Sequence, residues 1–404
     1  MLHKIKYCIG KVLSKLILLT THKEQNLITF IPHGGCETDG YNFINYKSDS
    51  ALTMFRYIAD KYGDQYSYQI SAGDNEIVTL QEKAKEKFPH LNIKIIPHPL
   101  ITKRISTVIK SIAQSGHIFS SQALPLDYAV KGQNIYYLGY YAGNFKNDFV
   151  EKYKTNSNLY NLTQKIFFSP SLLFSQLNSI VYNSPLSKFV ITGLVRNDNL
   201  LKKYDCPSLD KWLDSAVDYN VKKIFLYTPT HRDYEQHVSS ERNILGFPID
   251  KHNLESFLEK NQCVIIVKLH SIQNRKVISS DLPKGIILYQ SSKEFGLTEL
   301  LQKADFLISD YTSTYYDFLL LDRPVLFNFY DFDRYKATRG FSFDPIEPIL
   351  AGEIFTDQKS MIEMMGKVLK EDRFKEKRHF VRDLIFKYKD DKAAERVYNY
   401  IFND

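Results

Sequence analysis

Ser309-Asp310-Tyr311-Thr312-Ser313-Thr314 puts hydroxyl side chains at 309, 312, 313 and 314 into one short turn. An apolar run, Phe306-Leu307-Ile308, precedes it. An apolar stretch from Tyr315 to Leu321 follows and is stopped by Asp322-Arg323-Pro324. Strand, hydroxyl-rich turn and helix in that order can cradle a phosphate or diphosphate. The helix start offers free N–H groups and a positive dipole end, and the hydroxyls add donors. The plain alternative is a capped helix start with no ligand, since Ser and Thr are ordinary N-caps. Arg232 follows another buried run, Lys222 to Tyr227. Its planar fork pairs bidentately with phosphate oxygens. Gly34-Gly35 follows the run Asn26 to Ile31 and lets backbone approach a ligand closely, without the G-x-G-x-x-G spacing of a dinucleotide loop.

The elements that position these groups alternate. Strands are expected at 26–31, 68–72, 93–96, 117–121, 189–192, 222–227, 263–268, 285–289, 306–308 and 325–329. Helices are expected at 50–61, 76–88, 106–114, 298–304, 315–321, 360–370 and 393–402, and Phe167 to Ser171 reads as the lead into another. Strands alternating with helices argue for parallel α/β sheets. At 404 residues, two domains are the natural division. A hydrophobic content of 44% with 25% charged residues is globular. The 28 Tyr and 27 Phe against one Trp read as compositional bias, not as stacking platforms for bases.

The net charge of +7 comes without dense basic blocks, so a nucleic-acid groove is not expected, whereas anionic substrates or an anionic membrane surface suit it. Cys8, Cys36, Cys206 and Cys263 lie far apart and read as free thiols of a reducing cytoplasm. No run approaches the length of a membrane span. Residues 1–24 instead read as a basic amphipathic helix, with Ile5, Ile9, Val12, Leu13, Leu16 and Ile17 near one face and Lys4, Lys11 and Lys15 elsewhere. That helix either lies on an anionic leaflet or packs on the first domain.

The stretch SDYTSTYYDFLLLDRPVLFNFYDFDRY, followed by RGFSFD, resembles the C-terminal signature of the CDP-glycerol glycerophosphotransferase family, the teichoic acid primases and polymerases. That signature has an SDYSS turn, a D-x-x-x-L helix (Asp317 here), an RP, a YD-x-x-x-Y segment and an RGF-x-x-D (Arg339 here). Upstream, Gly193 to Leu200 resembles the family's G-x-P-R-N-D-x-L, with Val195 in place of Pro and with Arg196 and Asp198 retained. Tyr227 to Asp233 resembles Y-A-P-T-W-R-D. Lys268-Leu269-His270-Ser271 resembles R-x-H-P, and Thr298 to Leu301 resembles the start of a D-x-x-x-L-L helix, with Glu299 as a possible ribose or polyol contact. The largest departure is at Leu138-Gly139, where the family's W-H-G-T-P-L-K would place His-Gly. That family His is thought to deprotonate the acceptor, and Leu138 cannot take a proton. His33 is the best substitute, since a histidine suits general-base work near neutrality and its loop follows the first strand. A structural role for His33 in its own glycine turn is the alternative. Glu37, Asp39 and His98 are weaker candidates, and Lys146 and Asp148 could bind acceptor.

The resemblance implies a GT-B-like α/β fold with two Rossmann-like domains facing a cleft and closing C-terminal helices. Expected boundaries are an acceptor-side domain at 25–192, a donor domain at 193–384 and a last helix at 385–404 packing back on the first domain. It implies transfer of a glycerol- or ribitol-phosphate from a CDP-activated donor to a hydroxyl of a lipid-linked glycan or polymer, in teichoic acid or capsule synthesis. His33 and His270 would be catalytic. Arg232, Ser309, Thr312, Ser313 and Thr314 would hold the donor phosphates. Gly34, Gly35, Arg196, Asp198, Glu299, Asp317 and Arg339 would touch donor or acceptor. No cofactor or metal is expected, and the enzyme would sit in the cytoplasm on the inner face of the membrane. A nucleotide-sugar glycosyltransferase and a non-catalytic subunit of an envelope-polymer complex stay open as alternatives.

Overall fold

The structure is a computed structural model. It describes residues 17, 20–33, 46–99, 102, 105–122, 133–139, 166–182, 184–230, 232, 244–269, 282–290, 292 and 294–403. The described residues up to Asn199, together with those from Phe386 onward, form one compact unit, and Leu200–Ile385 form another. The sequence placed the crossing between 192 and 193. Contacts place it between Asn199 and Leu200, because the Arg196-Asn197-Asp198 segment is bonded into the first unit.

The first unit is a parallel sheet. Its strands are β1 (Glu24–Ile31), β2 (Ser67–Ala72), β3 (Ile93–Pro97), β4 (Ser115–Ser120), β5 (Asn134–Tyr137), β6 (Ile166–Ser169) and β7 (Phe189–Ile191), in the order β3-β2-β1-β4-β5-β6-β7. Ile28, Phe30 and Ile31 of β1 are buried with no alternation of polar residues, as expected of a strand covered on both faces. Helices α1 (Ser50–Tyr62), α2 (Ile77–Lys87), α3 (Ile105–Gln114) and α4 (Leu172–Val181) connect the strands. Asp49 caps α1, accepting from the Leu52 N–H, and the helix buries Ala51, Leu52, Phe55 and Ile58. Gly63 ends it at a φ of +47°, where a side chain would be strained. The stretch Phe167 to Ser171 does lead into a helix: Phe167 ends up in β6 and Ser171 caps the helix that follows.

The second unit begins within α5 (Asn197–Leu201) and continues through α6 (Pro207–Asp214). Its strands are β8 (Lys223–Tyr227), β9 (Cys263–Lys268), β10 (Ile286–Tyr289), β11 (Phe306–Ser309), β12 (Val325–Asn328) and β13 (Gly352–Phe355). They run parallel in the order β10-β9-β8-β11-β12-β13. The helices are α7 (Lys251–Lys260), α8 (Leu297–Lys303), α9 (Thr314–Leu319), α10 (Phe332–Arg339), α11 (Gln358–Val368) and α12 (Lys375–Ile385). Residues 264–267 of β9 have no exposed surface, which explains why that strand was legible to the residue. The chain then returns to the first unit with α13 (Ala393–Phe402), where Tyr398 stacks on Tyr62 at 4.0 Å between ring centroids.

Each sheet reverses strand order once, between β1 and β4 and between β8 and β11. In doubly wound sheets the crevice beyond the carboxyl ends at that reversal is where ligands bind.

Candidate functional site

In the second unit, β8 and β11 pair with Tyr227 opposite Ile308. Their carboxyl ends therefore release two segments side by side, Thr228–Arg232 and Ser309–Thr314. Asp310 joins them and has no exposed surface. Its Oδ1 accepts from the Thr230 hydroxyl (2.7 Å) and the Thr312 N–H (3.1 Å). Its Oδ2 accepts from the Thr230 N–H (2.8 Å) and from Arg232 Nη1 (2.7 Å).

Arg232 is 3% exposed. Beyond Asp310 it donates from Nε and Nη2 to the two oxygens of Asp331 (2.8 and 3.1 Å) and from Nη1 to the Thr230 carbonyl (2.6 Å). Tyr311 adds its hydroxyl to Asp331 Oδ1 (3.2 Å) and stacks on Tyr335 at 3.7 Å. The guanidinium carbon lies 4.9 Å from the Tyr311 ring centroid. Burial opposes this charge, but the Asp310 and Asp331 carboxylates outweigh it and hold the guanidinium above its ordinary range. The fork expected to grip a ligand phosphate is thus closed on two protein carboxylates. Asp310, Asp331, Thr230 and Tyr311 are the residues that sequence reasoning passed over.

The turn's hydroxyls divide. Ser309 is fully buried, and its Oγ has no hydrogen-bond partner among the described residues. Thr312 and Ser313 are half-exposed. Thr312 Oγ1 lies 3.2 Å from Thr314 Oγ1, and the Thr314 N–H points at it (3.4 Å). Asp317 lies buried in α9. Glu299 turns back on its own helix, Oε2 accepting from the Gly296 N–H at 2.9 Å, so it supports the start of α8. Arg339 is half-buried at the end of α10. His270 lies outside the described residues, directly after Leu269 at the end of β9, as does His231.

A cavity of about 460 Å³ opens where β10 ends. Trp212, Tyr289 and Phe295 line it with Ser208 and Glu294. Trp212 meets Tyr289 edge-on at 6.1 Å and Phe295 at 5.7 Å. The Tyr289 hydroxyl fixes the loop by donating to the Phe295 carbonyl (2.7 Å) and accepting from the Ser292 N–H (3.1 Å).

In the first unit, His33 is exposed just past β1, and its N–H donates to Asp49 Oδ2 at 3.0 Å. Asp49 Oδ1 accepts from the Leu52 N–H (2.9 Å) and the Ser121 hydroxyl (2.8 Å), so Asp49 ties the ends of β1 and β4 together. Burial raises the Asp49 pKa against these donors. His98 is buried, with Nε2 3.0 Å from the Pro32 carbonyl, and burial lowers its pKa. It reads as a prop beneath the His33 loop. Leu138 is fully buried in the core, and Gly139 (φ +84°) lies where a Cβ would come within 2.5 Å of the Phe168 carbonyl oxygen. Asp198, a candidate substrate contact, gives one oxygen to each of the Ala393 and Ala394 N–H groups (2.9 and 2.8 Å) and so caps α13. Arg196 is half-buried beside it in sequence. Gly34, Gly35, Glu37, Asp39, Lys146 and Asp148 lie outside the described residues.

Two doubly wound parallel sheets with polar groups gathered at their strand ends define an α/β architecture. Residues 43–403 match the family model described as CDP-Glycerol:Poly(glycerophosphate) glycerophosphotransferase, and the chain belongs to that family. It is 32% identical over 216 residues to the teichoic acid glycerol-phosphate primase of Bacillus subtilis (strain 168), covering 51% of this chain and 52% of that protein. It is 25% identical over 377 residues to the teichoic acid ribitol-phosphate polymerase TarK of Staphylococcus aureus (strain NCTC 8325 / PS 47), covering 89% and 68%. The chain spans about half the length of several of the curated relatives it matches. Among solved structures, the H444N variant of the wall teichoic acid polymerase TagF with CDPG superposes with a TM-score of 0.72 at 21% identity, over 100% of this chain and 96% of that one. That likeness is one of fold.

Proposed function

We propose that the chain transfers a polyol phosphate from a CDP-activated donor to a hydroxyl of a lipid-linked glycan or polymer, in teichoic acid or capsule synthesis. The observation that carries this reading is the side-by-side release of Thr228–Arg232 and Ser309–Thr314 at the strand-order reversal of the second sheet, in a chain of this family. The proposed arrangement is GT-B, with the two units facing a cleft and the C-terminal helices closing it. The reaction is assigned no metal or cofactor, and the enzyme a place on the cytoplasmic face of the membrane.

In the proposed step the acceptor oxygen attacks the phosphorus that bears the polyol. The new P–O bond forms as the phosphoanhydride bond breaks, CMP leaves with the bridging oxygen, and the acceptor proton passes to His33. Thr312, Ser313 and Thr314 donate to the diphosphate, and His270 stabilises charge on the leaving phosphate. Asp310 and Arg232 set the shape of that turn. The aromatic cavity at the end of β10 suits the cytosine ring, which needs a flat apolar surface and a few polar edges.

Nucleotide release from CDP-glycerol and CDP-ribitol, with and without lipid-linked acceptor, tests the reading. Acceptor-dependent CMP is expected, and the donor that works names the polyol. Release of UDP or GDP from nucleotide sugars would replace it with glycosyl transfer. Tight CDP binding without turnover on any acceptor would replace it with a binding role. His33→Ala should lower turnover about 10²- to 10⁴-fold while sparing CDP affinity, the usual effect of losing a general base. Near-normal turnover would remove His33 as the base.

A further inference from the structure

The cavity at the end of β10 has walls of one kind and an edge of another. Tyr289 and Phe295 are buried in its wall, and Trp212, half-buried, keeps surface for a flat ring. On the polar edge, the serine hydroxyls and the Gln290 amide can each give or take a hydrogen bond. The Glu294 carboxylate can only take one. Among the described residues that line the cavity there is no Lys, Arg or His. The edge is therefore biased toward a ligand that brings an N–H.

The backbone that carries Glu294 is held in place. The Tyr289 hydroxyl grips Ser292 on one side of it and Phe295 on the other, and the Glu294 N–H itself donates to the Ser292 hydroxyl at 3.0 Å. The side chain is exposed, and its carboxylate has no hydrogen-bond or ion-pair partner among the described residues. An acceptor on an anchored backbone can discriminate between ligands, because little ordering remains to be done when one arrives.

Strands β9 and β8 lie between β10 and β11. Three inter-strand spacings put the cavity about 14 Å from the Ser309–Thr314 turn, a span that a nucleoside diphosphate laid across the strand ends can cover. We propose that Glu294 selects cytosine over uracil in this cavity, its carboxylate accepting from the N4 amino group. Uracil presents the O4 carbonyl oxygen at that position, so two acceptors would meet with no proton between them. The inference rests on the reading that places the cytosine ring here, and it adds which edge of the ring is read and by which residue. Glu294 is a specificity residue in this account and takes no part in the transfer step.

The test is equilibrium binding of CDP and UDP to the full chain by calorimetry. The wild type should prefer CDP about tenfold or more. Glu294→Ala should weaken CDP about 10- to 100-fold, the usual loss of a hydrogen bond to a charged group, and leave UDP as tight or tighter. Glu294→Gln, whose amide can accept from N4 or donate to O4, should bind the two alike. Trp212→Leu keeps bulk but gives up the flat surface, so it should weaken both nucleotides and preserve their ratio. Equal affinity of the wild type for CDP and UDP overturns the inference. So does an unchanged ratio in Glu294→Ala when Trp212→Leu has weakened both, which leaves the cavity standing as the base site. Unchanged CDP affinity in Trp212→Leu, with its circular dichroism intact, takes the base out of the cavity and overturns the underlying reading together with the inference.

Discussion

The ends of the central strands in the two units solve one problem in two ways. In each, a buried aspartate bridges the loops that leave the two strands flanking the order reversal. Asp49 joins His33 after β1 to Ser121 after β4, and Asp310 joins Thr230 after β8 to the turn after β11. Asp49 meets only neutral N–H and O–H donors there, and burial raises its pKa. Asp310 meets the Arg232 guanidinium, which Asp331 holds from the other side. The second knot is built on ion pairs to a guanidinium, whereas burial opposes the charge of the first. The first knot leaves an exposed histidine beside it. The second leaves a row of neutral hydroxyls.

The sharpest way to break this comparison is Asp310→Ala. It strips four donors of their acceptor and leaves a buried guanidinium half-compensated, so unfolding in denaturant should show a loss of about 3–5 kcal/mol. A loss near zero would mean that Asp331 alone supports Arg232. Arg232→Lys keeps the charge but gives up the bidentate grip on Asp331 and should cost about 1–3 kcal/mol. Stability and CDP affinity should fall together, because Arg232 acts through the turn. Lost affinity at unchanged stability would instead show that the side chain leaves its aspartates to contact the donor. Asp49→Asn should have the smallest effect, about 1 kcal/mol near neutral pH. Its native pKa is raised, so the folded state binds the proton more tightly than the unfolded chain. That contribution is complete below the ordinary carboxylate value of 3.8 and is lost as pH rises through the higher native value. The wild type should therefore gain on Asp49→Asn as pH is lowered across that interval. A flat difference would mean that the three donors offset burial and leave its proton affinity as it is in the unfolded chain.

Much of the fold was legible because most strands are unbroken apolar runs. Residues 263–268 were read to the residue, and α13 likewise. What escaped was short or charged. Gly352-Glu353-Ile354-Phe355 shows neither alternation nor a continuous apolar run, yet forms β13. Helix α12 hides its role in Arg378, a buried guanidinium held by Asp322 and Asp372, so its inward face is not apolar in sequence. The site was legible as segments and not as bonds. The turn at 309–314 and Arg232 were both singled out, but a one-dimensional reading cannot tell that a strand pairing brings Asp310 to Arg232. An Asp immediately after a buried strand, opposite an Arg after another, is the signal that was available. Asp198 was legible as special too, but its partners lie 195 and 196 residues away.

That last contact has a consequence for the order in which the molecule can be made. Asp198 leaves the ribosome long before Ala393, and Leu200–Ile385 is synthesised between them. Leu200–Ile385 is continuous in sequence and can fold as it emerges. The first unit is begun earlier and completed later: until α13 arrives, Tyr62 lacks its stacking partner and the Asp198 carboxylate lacks the two amides it binds. A chain ended before residue 393 and released from the ribosome would hold a finished second unit and an open first one, the half that carries His33.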